Sequence, residues 1–430
     1  MHGEIAGVPA RGVFCLVLSI VPLTMASTQA MCEELTIEQA VAEALKNNLT
    51  LLAERANISI ARARLITARL RPNPVLSAGA DHLDALGTGF NEINAAGPSE
   101  FNLRTDFVLE RGGKRKARVE VAQGTLTVTE SEFLNAARTL ALDVQSAFVD
   151  AVLAKDNLAV ARENFETLNR IADLNAARVR AGDLAEVELL RSRVAALQQQ
   201  NAVWRAELAV RAAVIRLQNL MGRSRYVPTV DVAGELRRDP ETPPLEKLRQ
   251  ETVENRPDLR ALRQDHERAA SALRLEMARG KVDWTLGVEY RRQQGINGTG
   301  NSLGFFYSVP LPAFDRNQGE IERARQELRQ SELRISALEA SVLAELENTY
   351  QQVLVSRKLL DDVEKRMLPQ ALRVRQITEY SYKRGQASLL EFLDAQRAFN
   401  ETMQAYNEAR AEYARGLYLL DAVSGKAVMP

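Results

Sequence analysis

The sequence predicts a mainly α-helical chain built from two copies of one unit, each of which carries two β-strands. Three observations predict this fold class: a tandem repeat, long runs with helical spacing of apolar residues, and four short segments of alternating polarity. Aromatic residues make up only 5% of the 430 residues, while alanine and leucine are abundant. This composition favours long helices over a compact globular core.

The tandem repeat is visible at three separated places in the chain. The residues that match in pairs are Leu49 and Leu259, Gly182 and Gly385, and Gly222 and Gly425. These pairs divide the chain into two units, residues 35–223 and residues 245–425. Residues 224–244 form a linker that contains the proline-rich stretch RRDPETPPLE.

A long apolar seam predicts the main helices. From Phe133 to Ala172, steps of four and three residues meet only apolar side chains, as in a helical coiled coil. One helix over residues 114–178 would be about 100 Å long at 1.5 Å per residue. The predicted helices cover residues 50–71, 114–178, 185–221, 258–281, 319–382 and 389–423. In each copy, two short helices stacked end to end would run beside one long helix. Pro369 is expected to bend the second long helix.

Four segments alternate between apolar and polar residues and predict amphipathic strands. They are NPVLSAGADH, FNLRTDFVLE, DWTLGVEYR and SLGFFYSVPL. Each is about ten residues long, which is the length that a tilted membrane strand needs, although an ordinary half-buried sheet has the same pattern. Four strands cannot close a barrel by themselves, so a membrane role would require several copies of the chain.

The N-terminus resembles a secretory signal peptide. Arg11 precedes the apolar run VFCLVLSIVPLTMA and the small residues STQA, so we expect cleavage after residues 1–30. No other long apolar helix follows in the sequence, so a membrane crossing would use strands. The mature chain would retain one cysteine, Cys32, which could carry a lipid, although Met31 is not the small residue that usually precedes such a site.

Composition and residue inventory argue against several functions. Lys and Arg together number 56, as do Asp and Glu, so a general nucleic-acid or other polyanion binder is not expected. The basic turn RGGKRKAR lacks a P-loop's spacing and is interpreted as a strand-to-helix junction, whose basic residues could lie near lipid head groups. Three histidines and no Cys/His cluster predict no metal site and no cofactor. No nucleophile–base pair is evident, so an enzyme is not expected.

On these residues the chain resembles the TolC-like outer-membrane efflux proteins. The resemblance covers the mature chain and rests on the tandem repeat, the paired glycine turns, VLERGGKRKAR and VPLPAFDRNQGEI. The motifs ERGGKR and DRNQGE are most similar to the branch that serves heavy-metal cation pumps of the cobalt–zinc–cadmium and copper–silver type. The resemblance implies a homotrimer in the Gram-negative outer membrane, with a twelve-stranded β-barrel and an α-helical barrel that extends into the periplasm. It also implies a periplasmic adaptor and an inner-membrane RND-type pump as partners.

The resemblance further implies a gate at the periplasmic tips of the helices. The glycine turns at Gly182 and Gly385 would be the two tips of one protomer. By position, Glu391 and Asp394 in LLEFLDA match the family's acidic entrance residues, and Glu188 matches an acidic position at the first tip. The remaining matched residue is Tyr382, a tyrosine that latches some members shut, while the arginine that accompanies it there is replaced by Ala387. Solvated surface charge is the alternative interpretation of the acidic residues.

Two other functions remain open at the level of the sequence. A channel of the same architecture could export drugs, other organic molecules or proteins. A periplasmic coiled-coil adaptor is the alternative from another class. An adaptor needs one helical hairpin and compact β-domains, whereas this sequence predicts two hairpins and four amphipathic strands, which favours the channel.

Overall fold

The structure is a computed structural model that describes residues 33–83, 85, 87, 99–228, 230–295 and 298–426. The predicted signal peptide and Cys32 lie outside the described residues. The helices are α1 Ile37–Asn47, α2 Leu49–Arg69, α3 Lys114–Ala181, α4 Glu186–Leu220, α5 Leu245–Asn255, α6 Pro257–Arg279, α7 Gln318–Asp362, α8 Leu368–Lys383 and α9 Leu389–Val423. The strands are β1 Glu33–Leu35, β2 Val75–Asp81, β3 Glu100–Leu109, β4 Val230–Val232, β5 Trp284–Gly295 and β6 Gly298–Ser308. The mainly helical fold class is confirmed.

The helices form one layer in which α3 is central. α2 and α4 pack along one side of α3, α6 and α9 pack along the other, and α7 and α8 lie beyond them. As predicted, the short helices stack end to end, because the Asn48 side chain that caps α2 also donates to the Leu220 carbonyl at the end of α4, at 2.9 Å. Within the described part of the chain, no helix combines the length and the apolar character needed to cross a membrane.

Two short helices and a two-stranded sheet were not predicted. A capping box between Thr36 and Gln39 starts α1, whose buried residues Ala40 and Ala44 pack on Val144 and Ala147 of α3. α5 occupies the equivalent place in the second repeat, with Leu248 buried near α7 and α9. The strands β1 and β4 pair in parallel over only three residues each, too few to show an alternating pattern in the sequence.

The four predicted strands form one antiparallel sheet in the order β2-β3-β5-β6. Register places Leu103 beside Tyr290, and Tyr290 beside Leu303, so the predicted apolar residues share one face. These three side chains are exposed. The opposite face is polar and carries ion pairs within the sheet, such as Arg104 with Asp106 at 2.8 Å. Within the described residues β2 and β6 each pair with a single strand, so the sheet has two open edges.

The second long helix is interrupted by a π-helical turn over Val363–Met367. Pro369 lies two residues beyond this turn, at the start of α8. Proline has no backbone N–H to donate, so the helix must change its hydrogen-bonding pattern near this position. The structure thus has a π-helical turn beside Pro369, whereas the bend of the helix stays a prediction.

The glycines that end α4 and α9 contact the start of another helix in their own repeat. Gly222 has φ +79°, and a Cβ there would lie 2.4 Å from the Asn47 carbonyl oxygen. Gly425 has φ +72°, and a Cβ there would lie 2.9 Å from the Arg256 backbone nitrogen. Only glycine fits both the positive φ and the close backbone approach. The two repeats thus use the same device to stack their short helices.

Gly222→Ala is expected to destabilise the protein by about 2 to 5 kcal/mol. Two costs add up: alanine is unfavourable in the left-handed conformation, and its methyl group would overlap with backbone atoms. Gly182→Ala is the matched control, since Gly182 also has positive φ but a methyl group there would enter open space. That control should cost about 1 to 2 kcal/mol. Thermal unfolding in detergent, followed by circular dichroism, compares the two variants. Equal losses of stability would contradict the packing argument.

Candidate functional site at the helical tips

Both predicted tip glycines end a helix with the same hydrogen-bond pattern. Gly182 has φ +80°, and the Asp183 N–H donates to the Arg178 carbonyl at 2.9 Å. Gly385 has φ +76°, and the Gln386 N–H donates to the Ser381 carbonyl at 2.9 Å. This pattern is the Schellman motif, in which glycine adopts the left-handed conformation that reverses the chain. The repeat in sequence is therefore a repeat in backbone geometry.

Tyr382 connects the two hairpins near their tips. Its side chain is 3% exposed, and its hydroxyl donates to Asn175 Oδ1 of α3 at 2.7 Å. Its ring stacks on Phe392 of α9, with the ring centroids 5.6 Å apart. Burial raises the pKa of the Tyr382 phenol, so the hydroxyl stays protonated and able to donate at neutral pH.

Arg178 of α3 forms a second link between the hairpins. Its guanidinium donates to the backbone carbonyls of Tyr382 and Lys383, the last residues of α8. Carbonyls at a helix C-terminus are unpaired acceptors with partial negative charge. A guanidinium supplies both a hydrogen-bond donor and a positive charge. A cavity of about 600 Å³ lies between the tips, and Arg178, Glu188 and Tyr382 are among the residues that line it.

Glu391 takes part in a capping box at the start of α9. Its carboxylate accepts from the Ser388 N–H at 2.7 Å and from the Ser388 hydroxyl at 2.9 Å. The Glu391 N–H donates in return to the Ser388 hydroxyl oxygen. The hydrogen bond from the Ser388 N–H lowers the pKa of the Glu391 carboxyl below its usual range. In one chain, Glu391 thus has a local structural role besides the role implied by the resemblance.

The other two predicted acids lie near the starts of α4 and α9. Glu188 pairs with Arg191 on the same face of α4, at 2.9 Å. Asp394 is exposed on α9, one turn after Glu391. The structure therefore brings Tyr382 into contact with α3, whereas Glu188 and Glu391 are each held within the first turns of their own helix.

Sequence reasoning missed Asn175 and Arg178, the two residues of α3 that contact Tyr382. Neither carries a local signal, because each lies more than 200 residues from its partner in the chain. The Ser388–Glu391 capping box did carry a signal, since Ser-x-x-Glu before an apolar run marks a helix start. Ala387 packs against the apolar cluster at the tips. An arginine does contact the Tyr382 ring, but it is Arg178 of α3.

The described residues contain no group of three or more His, Cys, Asp or Glu side chains that could hold a metal ion. The tips instead combine exposed carboxylates, a buried tyrosine and an arginine that joins two hairpins. Such an arrangement can attract or repel ions and can hold helix ends together.

The fold agrees with the comparisons to known proteins. The profile of the outer membrane efflux protein family matches residues 40–223 and 248–426. The chain therefore belongs to the outer membrane efflux protein family, whose members are channels of the Gram-negative outer membrane. This confirms the family resemblance and the localisation.

Individual relatives of the chain have names that point to different roles. It is 24% identical to the cobalt-zinc-cadmium resistance protein CzcC of Cupriavidus metallidurans, over 91% of this chain and 90% of that protein. It is 21% identical to nodulation protein T of Rhizobium leguminosarum bv. trifolii, over 95% and 86% of the two chains. The solved structure of CusC is similar with a TM-score of 0.75 at 18% identity, covering 90% of this chain and 92% of that one.

Lowering the pH is expected to weaken the cap at the start of α9. The pKa of Glu391 is lower in the folded chain than in the unfolded chain, so the carboxylate stabilises the helix start at neutral pH. That contribution is lost as the pH falls through the lowered pKa. Hydrogen exchange of the Ser388 amide, corrected for the intrinsic exchange rate, should show severalfold weaker protection in acid.

The Thr36–Gln39 capping box is the internal control for this experiment, because its glutamine cannot titrate. Its protection should not follow the same pH dependence. Glu391→Gln should keep the α9 cap and remove the dependence on pH there. Equal pH responses of Ser388 in the wild type and in Glu391→Gln would show that the carboxylate does not hold the cap.

Proposed function

We propose that this protein is the outer-membrane channel subunit of a tripartite efflux system and conducts heavy-metal cations outward as a homotrimer. Membership of the outer membrane efflux protein family establishes the class of channel. One observation supports the trimer. The sheet has two open edges that could pair with each other between copies, and the helix layer has two exposed apolar edges that could do the same. A periplasmic adaptor and an inner-membrane RND-type pump complete the proposed system.

The sheet edges support a closed ring of copies. β2 and β6 are the outer strands of a fully antiparallel four-stranded sheet, and each exposes unpaired backbone groups. In a bilayer such groups must be paired, since no water is available to them. β6 of one copy would run antiparallel to β2 of the next, and three copies of four strands would give a twelve-stranded barrel.

The edges of the helix layer carry matching apolar seams. The α4 seam consists of residues at spacings of three, four or seven that are half or more exposed: Val187, Leu190, Val194, Leu197, Trp204, Leu208 and Ile215. The opposite edge has a second seam of residues about half exposed: Val355, Leu359, Met367, Val374 and Ile377. Leu359 and Met367 are eight residues apart, and the π-helical turn between them accommodates the extra residue.

The two seams differ, so they favour a head-to-tail contact between copies. A two-fold dimer would bring like edges together, whereas a head-to-tail contact joins the α4 seam of one copy to the α7/α8 seam of the next. Repetition of that contact either closes a ring or extends without limit. A closed ring is favoured, because only a closed barrel would leave no strand edge unpaired in the membrane.

Heavy-metal cations are the proposed cargo on two grounds. CzcC, a cobalt-zinc-cadmium resistance protein by name, is similar over nearly the full length of both chains. Glu188, Glu391 and Asp394 would place nine carboxylates at the entrance of a trimer, and rings of carboxylates attract cations. Export of an organic molecule is the second candidate, because the pyoverdine export outer membrane protein OpmQ of Pseudomonas putida is 25% identical over 84% of this chain.

Leu197→Gln together with Leu208→Gln is expected to weaken the trimer, because polar side chains would replace two apolar contacts of the α4 seam. Arg193→Gln with Arg205→Gln is the matched control, since both arginines are exposed on α4 beside the seam. Molecular mass in detergent and single-channel conductance measure the outcome. The wild type and the control should have three times the protomer mass and form conducting channels. A wild-type monomer without conductance would refute the proposed function.

A deletion strain tests the cargo. Loss of this chain should sensitise cells to cobalt, zinc or cadmium salts more than to drugs, and the wild-type chain should restore resistance. Sensitivity to drugs alone would support the second candidate and contradict the first.

The combined variant Glu391→Gln and Asp394→Asn tests the acidic entrance in the same strain and in planar bilayers. It should reduce cation preference while keeping the α9 cap, because glutamine can still accept from the Ser388 N–H. An unchanged ion preference would reject these residues as the gate.

A further inference from the structure

The places where strands meet helices converge at one level of the molecule. We call these segments, residues 69–74, 110–118, 276–283 and 309–317, the junction surface. The Arg111 N–H donates to Asp283 Oδ1 at 2.9 Å, which joins the start of α3 to the start of β5. The Asn317 side chain donates to the Glu276 carbonyl at 2.8 Å, which joins the start of α7 to α6. The junction surface is therefore one continuous structure directly beside the sheet.

The junction surface carries uncompensated positive charge. Three of its four acids pair with basic residues of the same surface: Glu110 with Arg118, Glu276 with Arg279, and Asp283 with Lys114. The fourth, Asp315, accepts from the Asn317 N–H in its own loop. Among the described residues, seven further basic side chains there are exposed and have no carboxylate within 4 Å: Arg69, Arg71, Arg111, Arg115, Lys116, Lys281 and Arg316. The whole chain has no net charge, so this excess is local and attracts anions.

Apolar side chains project from the same surface. Leu311 is 83% exposed and Phe314 is 93% exposed, in the loop that connects β6 to α7. Hydrogen bonds within the loop order its backbone, because Arg316 Nε donates to the Pro312 carbonyl and Gln318 Nε2 donates to the Phe314 carbonyl. The described part of the chain leaves both side chains uncovered, which suits a loop that enters a membrane.

An aromatic pair lies between the apolar face of the sheet and the basic residues. Trp284 at the start of β5 packs edge-on against Tyr307 of β6, with centroids 6.0 Å apart. The Arg111 guanidinium stacks over the Trp284 ring, 4.0 Å from its centroid. Tryptophan and tyrosine are enriched where a membrane protein crosses the head-group level. Their position therefore marks the boundary between the apolar sheet face and water.

Two long helices begin at this level without a side-chain cap. Gly113 precedes α3, and the first turn of α3 contains no acidic residue. Asn317 precedes α7 and its side chain binds Glu276, but the first turn of α7 contains Glu320, so α3 has the more open N-terminus. The N-terminus of a helix carries partial positive charge and exposes N–H donors, which favours phosphate groups. This preference adds to that of the basic side chains.

We propose that the junction surface binds the phosphodiester head groups of anionic glycerophospholipids in the leaflet that faces the helices, while Leu311 and Phe314 enter its acyl region. The inference rests on the membrane-inserted channel of the proposed function. A lipid explains the apolar and basic features together. The apolar loop and sheet face would contact its acyl chains, and the basic side chains would contact its phosphate group. Free phosphate would bind only the basic part.

The proposal is tested in vesicles that mix phosphatidylglycerol with phosphatidylcholine, with bromine on the acyl chains of one lipid at a time. Bromine quenches a nearby indole, so Trp284 reports which lipid is its neighbour. The chain's other tryptophan, Trp204, lies on α4 near the level of residue 160, about 70 Å along α3 from the sheet. It therefore provides an unquenched reference. Phosphatidylglycerol should be enriched about fivefold around Trp284, as expected for several basic residues at a membrane surface.

Arg115→Gln, Lys116→Gln and Lys281→Gln combined should bring the enrichment close to onefold without loss of single-channel conductance. The matched control combines Arg193→Gln, Arg329→Gln and Arg334→Gln, which remove the same charge from exposed helix positions away from the sheet. The control should keep the enrichment. Raised salt should reduce the enrichment in the wild type, since screening weakens contacts between exposed charges.

Phe314→Trp tests the apolar part, because an indole at this position should be quenched by bromine on either lipid. Equal quenching of Trp284 by the two lipids in conducting wild-type channels would overturn the head-group proposal and leave the channel intact. An indole at position 314 that is not quenched would overturn the insertion of the loop. If the wild-type chain forms no trimer and conducts no ions, the proposed function is contradicted, and the proposed lipid site is rejected with it.

Discussion

The unpaired edges of the four-stranded sheet are the constraint on which the rest of this structure depends. Backbone N–H and C=O groups along the outer edges of β2 and β6 need partners, and in the proposed membrane-inserted sheet no water would be available to them. Pairing with further copies of the chain, as in the proposed trimer, would supply those partners. The exposed apolar seams of α4 and α7/α8 would be covered by the same contact between copies in the proposed trimer.

The two ends of the helix layer carry different sets of side chains. At the strand end, basic side chains without carboxylate partners, aromatic rings and a projecting apolar loop lie together. At the tip end, Glu188, Glu391 and Asp394 lie on the first turns of α4 and α9. Basic residues such as Arg178, Arg191 and Lys383 lie near these acids, so the tip end has no excess of negative charge. The strand end does have an excess of positive charge, which would attract anionic lipid.

Internal duplication explains why the structural devices occur in pairs. Gly182 and Gly385 end two helices with one hydrogen-bond pattern, and Gly222 and Gly425 each contact the start of another helix. The copies differ where a single chain needs asymmetry. Within the described residues, the π-helical turn and a side-chain cap at the tip occur in the second copy, and Tyr382 of that copy binds Asn175 of the first. These differences make the two tips unequal partners in one contact.

Local patterns in the sequence determined the long helices, the alternating strands and the glycine turns, because each depends on residues a few positions apart. The tandem repeat was also visible in the sequence, because it is a similarity between two segments and requires no knowledge of contacts. The structure alone decided the parallel pairing of β1 with β4, the packing of α1 and α5, and the contacts of Tyr382 with Asn175 and Arg178. Those features join residues far apart in the chain. Their partners are brought together by the stacking of whole helices, which no local spacing of residues encodes.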